Sequence, residues 1–305
     1  MALPGSCVCF PFRRLEACGR LVNSGHKYVT LKVCERNATQ ATREVAVYRY
    51  LTRIKTNHIG STLVRTIDDA FEVVGCEGFH KCLVHKPLGM SLSSLRARCP
   101  SFQMPEQLLK LTLTHILLAL DFLHTEARVV HTGECDYDIF CFEILLTAGA
   151  DLQQNNILMA IEDESILAEF EEAERSDPSP RKVDGGRITH TSRELSVPRR
   201  HGRPVLCDFG EARFGEKDYD DDIQPYLYRA PEVILQVRWD NKVDIWNVGV
   251  LVSCLFTLSG GENSVSLYQS ALLISHRSGT SSKTNTCSTP GTRIKKSRAY
   301  IILRK

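Results

Sequence analysis

Three short motifs in fixed order constrain this chain more than any other feature: Asp208-Phe209-Gly210, Ala230-Pro231-Glu232 and Asp244-Ile245-Trp246. Each alone is three common residues that recur by chance. Together they are not, since Ala230 follows Gly210 by 20 positions and Asp244 follows Glu232 by 12. Between the first two lies an acidic run with Asp218, Asp220, Asp221 and Asp222. As an isolated feature, such a run reads first as a solvated loop.

The whole chain sets outer bounds. Its 305 residues hold one two-lobed domain or two small ones, and 43% apolar residues suffice for a buried core. A net charge of +2 gives no overall electrostatic case for nucleic acid. Twelve cysteines are scattered without a C-x-x-C pair or a Cys/His cluster at zinc spacing, so reduced thiols in a cytoplasmic and nuclear protein are expected. Arg13 and Arg14 follow a short apolar start that lacks the h-region of a secretory signal. The longest apolar run, 248–258, is too short to span a bilayer.

Ordered patterning begins at 28–33, Tyr-Val-Thr-Leu-Lys-Val, which alternates as a strand does and carries Lys32 among apolar neighbours. Residues 42–51 follow with Val45, Tyr48 and Leu51 at helical spacing and Glu44 among them. Taken alone, these are an edge-strand lysine and a solvated glutamate. Residues 82–89 read as a buried strand entering an extended connector, with His85 and Lys86 unusual in so apolar a run. Pro105 then opens a helix whose expected apolar face is Leu108, Leu109, Leu113, Ile116, Leu117, Leu120 and Leu123.

Downstream, His131-Thr132 is separated by residues 133–150 from Asp151-Leu152-Gln153-Gln154-Asn155-Asn156. Removing those 18 residues restores a continuous His-Thr-Asp-Leu-Gln-Gln-Asn-Asn turn. Gly133-Glu134 can be encoded GGT GAG and Ala150-Asp151 GCA GAY, which contain a donor-like GTGAG and an acceptor-like CAG. Excision between them keeps the frame and regenerates an aspartate codon, so 133–150 is read as a retained intron. A second excess, 160–203, starts acidic, offers Ile166, Leu167 and Phe170 for a short amphipathic helix and ends basic. A solvated linker is the default for it.

These residues resemble the protein kinase superfamily. The split His-Thr…Asp turn, the spacer, Asp221-Asp222-Ile223-Gln224 ahead of Tyr228-Arg229-Ala230-Pro231-Glu232, and Lys242-Val243-Asp244-Ile245-Trp246 are similar to the SR-protein kinases, over about 21–252. The resemblance implies an α+β, two-lobed kinase-like fold: a β-rich small lobe at 21–86 and a helical large lobe at 87–258, truncated after the Asp-x-Trp helix. It implies transfer of the γ-phosphoryl group of ATP, with Mg2+, to serines of Arg/Ser-rich proteins such as splicing factors. Carried over residue by residue, Lys32 and Glu44 anchor the nucleotide phosphates, and Val84, Lys86 and Leu88 line the adenine connector. Asp151 is the base, Asn156 and Asp208 hold magnesium, and Asp244 braces the catalytic turn. Asp218, Asp221 and Asp222 attract a basic substrate.

The departures from that pattern are specific. No Gly-x-Gly-x-x-Gly turn precedes Lys32, and Gln153 stands where such enzymes usually place a lysine. Residues 1–20 are irregular. Residues 259–305, with eight Lys or Arg against one Glu, suit a disordered basic tail; Val252-Ser253 can encode a second donor-like string, GTGAGT. The alternatives to an active enzyme are a binding module that docks Arg/Ser-rich partners without phosphorylating them, and an inactive truncated product. A monomer with no membrane association and no direct nucleic-acid binding is expected.

Overall fold

The computed structural model describes residues 28–75, 78–100, 104–132, 154–184, 187–190, 193, 195–196, 201–215, 218–224, 228–257 and 299–304. The expected insertion at 133–150 and Asp151 lie outside them. So do residues 1–20, and with them the irregular N-terminus.

Strand β1 (Tyr28–Arg36) sets the geometry of the small lobe. Its period of two sends Val29, Leu31 and Val33 to one face, where they pack with Cys82 and Val84. Lys32 and Cys34 therefore point to the other face, toward helix α1 (Thr39–Arg53). Only Asn37 and Ala38 join the two elements, and Asn37 supplies the left-handed backbone (φ 53°) that so short a turn needs. Helix α1 buries Ala41, Glu44, Val45, Val47 and Tyr48 against the sheet, one face of a 3.6-residue repeat. Strands β2 (Asp69–Gly75) and β3 (Gly78–His85) complete a hairpin, and the sheet runs β11 (Ala299–Arg304)-β1-β3-β2.

β3 passes through Lys86-Pro87 into β4 (Leu88–Ser91), which opens a three-stranded sheet with β6 (Ile157–Ile161) and β9 (His201–Leu206). Pro204 is tolerated in β9 because that strand lies at the sheet edge. The large lobe is built on α2 (Leu92–Ala97) and the 20-residue α3 (Glu106–Thr125), with β5 (Val129–Val130) after it. By length and composition α3 could cross a membrane. Here it buries Leu109, Thr112, Ile116, Ala119, Leu120, Phe122 and Leu123 in the main core. Leu117, expected on that face, is 45% exposed because it lies about 100° round the helix from Ile116.

Gly60 shows how tightly α3 is seated. It lies in a 3-10 turn (Ile59–Leu63), and a Cβ there would come within 1.9 Å of the Leu118 carbonyl oxygen. That oxygen is helix backbone and cannot rotate away. Gly60→Ala is expected to cost about 1–3 kcal/mol, read from the midpoint of urea unfolding.

The spacer is more ordered than a linker. Helix α4 (Ser165–Ser176) buries Ile166 and Leu167, and β7 (Arg181–Asp184) pairs with β8 (Arg187–His190) as a hairpin. The Tyr28 hydroxyl donates to Glu171 at 2.9 Å and so ties α4 to β1. A second core gathers Val130, Ile223, Ala230, Val233, Trp239 and Val243 around β10 (Arg213–Phe214), α5 (Pro231–Ile234) and α6 (Lys242–Thr257).

The expected disordered tail needs a correction at one end. Residues Ala299–Arg304 form strand β11, antiparallel to β1 from Tyr28↔Arg304 to Val33↔Ala299. The composition of 259–305 as a whole concealed a local Tyr-Ile-Ile-Leu run of strong strand formers, and β1 offers it an edge.

Candidate active site

The site begins with one buried ammonium group. Lys32 Nζ donates to both carboxylate oxygens of Glu44, at 2.8 and 2.6 Å, and approaches Asp208 Oδ1 at 3.4 Å. The three side chains are 10%, 4% and 10% exposed, so these charges are largely removed from water. Two carboxylates around one ammonium leave a net negative site whose complement is a cation. Glu44 holds the lysine in place, and Asp208 stands beside it.

Asp208 is set by backbone as much as by charge. Its φ of 68° is left-handed, a conformation aspartate tolerates better than most residues. Its N–H donates to the Tyr48 hydroxyl at 3.3 Å, and the Gly210 N–H reaches its Oδ1 at 3.4 Å. Phe209 is fully buried, edge-on to Tyr48 (5.3 Å between ring centroids) and to His131 (5.0 Å). His85 meets the other side of Tyr48 at 5.1 Å. Four rings thus link β3, α1, the Asp-Phe-Gly turn and the His-Thr turn. Behind them Cys207 is a neutral thiol, pushed up to about 12 chiefly by burial, and offers no thiolate nucleophile.

The His131-Thr132 turn hangs on Asp244 at the start of α6. Its carboxylate accepts the His131 N–H at 2.8 Å, the Thr132 N–H at 2.8 Å and the His124 Nε2–H at 2.8 Å. His131 Nε2–H donates to the Cys207 carbonyl at 3.0 Å, and the Thr132 hydroxyl donates to the Glu211 carbonyl at 2.7 Å. Thr132 is held at φ 64° by these contacts. Asn156, also buried, ends a 3-10 turn (Gln154–Asn156) just ahead of β6, and its carbonyl accepts the Cys207 N–H at 2.8 Å, next to Asp208.

Lys32, Glu44 and Asp208 therefore converge, with the Asn156 backbone one residue removed, at Cys207. Val84 does not. The register pairs Leu31 with Val84 and Lys32 with Leu83, so Val84 joins the cluster on the far face of the sheet. A strand's alternation allows Val84 no side chain toward Lys32. Lys86 is exposed at the connector, and Leu88 is half-buried in β4 opposite Ala160.

The acidic run is engaged by the chain's own arginines. Asp221 accepts Arg213 at 2.8 and 3.2 Å, Asp222 lies 3.2 Å from Arg229, and Asp218 lies 3.6 Å from Arg238. These pairs are exposed and weak, of order 0–1 kcal/mol each, yet they offset the field a basic substrate would feel. Two further contacts had no signal in the sequence. Glu211 receives Gln40 and Arg43 from α1, Arg43 at 2.8 Å, which couples that helix to the segment after Gly210. The fully buried Gln224 donates to the Val243 carbonyl and to Asn247, each at 2.9 Å, and accepts the Ala230 N–H at 2.8 Å.

No family model matches the chain. Among known proteins it is similar to a serine/threonine protein kinase of Aspergillus fumigatus, 42% identical over 234 residues, which is 76% of this chain and 51% of that protein. The serine/threonine-protein kinase SRPK of Physarum polycephalum is 29% identical over 202 residues, 64% of this chain and 45% of its own length. The serine/threonine-protein kinase AFC1 of Arabidopsis thaliana is 26% identical over 183 residues, 60% of this chain and 32% of its own. A crystallised kinase domain superposes with a TM-score of 0.49 at 25% identity, covering 78% of this chain and 59% of that one. The chain spans about half the length of the first of these relatives. At 42% identity over 76% of its length to the Aspergillus kinase, the chain belongs to the serine/threonine protein kinase family, with the Physarum kinase SRPK among its relatives.

Proposed function

We propose that the chain transfers the γ-phosphoryl group of ATP to serine hydroxyls of Arg/Ser-rich proteins such as splicing factors. The observation that carries this reading is the buried Lys32–Glu44–Asp208 cluster beside the turn that Asp244 braces. Lys32 would contact the nucleotide phosphates. The hard oxygen donors of Asp208 and Asn156 fit magnesium, and among the described residues no larger His, Cys, Asp or Glu cluster competes for a metal. A bound magnesium ion would supply neutralisation of the charge on the phosphates. Lys86 and Leu88 would meet the adenine at the connector. Asp151, outside the described residues, would accept the proton of the serine hydroxyl. The Arg/Ser preference draws support from the Physarum relative's name, and the reading includes a monomer that works in cytoplasm and nucleus.

The test is phosphate incorporation into an Arg-Ser repeat peptide with magnesium and labelled ATP. Lys32→Met and Asp208→Asn are each expected to lower the rate by on the order of 100-fold. Peptide binding without turnover in the parent chain would sink the enzyme reading in favour of a docking module. A second measurement addresses 133–150: transcripts amplified across the codons for Thr132 and Asp151 are expected to include a form shorter by 54 nucleotides, the 18 codons of that segment. Detection of the long form alone would make the interruption a true insertion.

A further inference from the structure

We propose that the outer edge of β1 is an acceptor site for an extended peptide strand, and that residues 299–304 are its intramolecular occupant. The site stands whether or not the chain transfers phosphate. β1 has two edges; β3 takes one of them, with Lys32 opposite Leu83. The other is taken by β11, through six successive pairs that place Tyr300 opposite Lys32. The pairing does not come from a hairpin. From the end of α6 at Thr257 to Ala299 the chain runs through 41 intervening residues, so a segment far away in sequence returns to the small lobe.

An edge of this kind recognises a partner through its main chain. Unpaired N–H and C=O groups along a strand accept any extended segment that offers a matching row, and side chains on alternate positions refine the choice. β1 is a hazardous edge to leave open, because Val29, Leu31 and Val33 are buried on one face and nothing in the strand blocks pairing. The segment that fits is short, extended and rich in aliphatic β-formers, as Ala-Tyr-Ile-Ile-Leu-Arg is. Because the occupant is tethered, a free peptide competes against an effective concentration on the order of millimolar or below. The site is therefore closed to weak competitors and opens when β11 is broken.

Two measurements on the full chain decide it. In the first, Thr30→Cys is combined with Ile302→Cys, positions directly opposite in the register. Opposed antiparallel residues lie about 4.5–5.5 Å apart at Cα, within disulfide reach. Mild oxidation is expected to link them within one chain, identified by peptide mass, whereas Thr30→Cys with Ala299→Cys is out of register and stays unlinked. In the second, Ile301→Pro and Ile302→Pro are introduced together. Only alternate residues of an edge strand donate to the neighbour, so one of two consecutive prolines must remove a ladder bond. Amides of residues 28–33 are expected to exchange at least about tenfold faster, and added peptide of sequence 299–304 is expected to restore protection. The same peptide with both prolines should not.

If the proline variant also loses protection in α3 it has unfolded, and the cross-link alone decides. Absence of the in-register cross-link overturns the proposal, as does a link formed mainly between two chains, which would make the occupant a second copy. Unchanged exchange in β1 with intact α3, or failure of the peptide to restore protection at millimolar concentration, also overturns it.

Discussion

Asp244→Ala is expected to destabilise the chain by about 3–5 kcal/mol, as removal of one partner from a buried charged network does. The carboxylate is 3% exposed and accepts three N–H groups, each at 2.8 Å. Alanine leaves the His131 and Thr132 amides buried without an acceptor, and it releases the constraint that keeps Thr132 at φ 64°. His124, half-buried on α3, loses the carboxylate that it meets at 2.8 Å. Asp244→Asn is the sharper probe. It keeps one oxygen acceptor but turns an amide NH2 toward a backbone N–H, so its loss should fall between zero and the alanine value. Urea unfolding followed by circular dichroism reads both. A natural domain holds only about 5–15 kcal/mol in all, so the alanine change takes a large share of it. A loss below about 1 kcal/mol would show that water replaces the carboxylate, and that the turn does not depend on it.

What could be read from the sequence was what local periodicity or a fixed motif carries. Lys32 and Glu44 were legible because a two-residue repeat aims the lysine at a helix whose own repeat aims the glutamate back. Asp208 and Asp244 were legible from their motifs. The face of the Val84 side chain was not legible, because the strand rule assigns it relative to Lys32 only once the pairing partner is known. The contact of Arg43 with Glu211 spans 168 positions and that of Tyr28 with Glu171 spans 143, distances at which sequence spacing holds no information. The acidic run illustrates a third limit. Its charge was plain, but its arginine partners come from β10, the approach to α5 and the loop after it, and only the fold brings them near. β11 was hidden for a related reason: composition averaged over a long basic tail masks six residues that have a strand to join.

Acid should weaken this fold through one buried imidazole. His85 is fully buried at the end of β3, its Nδ1–H donating to the Thr66 carbonyl at 2.8 Å, which leaves Nε2 as an acceptor without a partner among the described residues. Burial above all, then the Arg65 guanidinium, lower its pKa from 6.5 to about 3; Lys32 adds to this, while the Thr66 carbonyl and Asp208 oppose it. The direction of the effect follows from linkage. Below pH 6.5 the unfolded chain binds a proton at this residue that the folded chain refuses. The stability contributed is complete above pH 6.5 and is lost as pH falls toward about 3. The slope approaches 1.4 kcal/mol per pH unit, so roughly 2 kcal/mol should go between pH 6.5 and 5, before most carboxylates titrate. His85→Leu keeps an apolar body against Tyr48 and has nothing to protonate. At neutral pH it should cost about 1 kcal/mol for the Thr66 carbonyl left without its donor. Between pH 6.5 and 5 the variant should lose about 2 kcal/mol less than the parent, which makes it the more stable chain at the acid end. Parallel urea titrations at pH 5 and 6.5 test this as a difference of differences, in which other titrating groups cancel. Equal acid losses in the two chains would mean that His85 accepts its proton in the folded state, with water reaching Nε2.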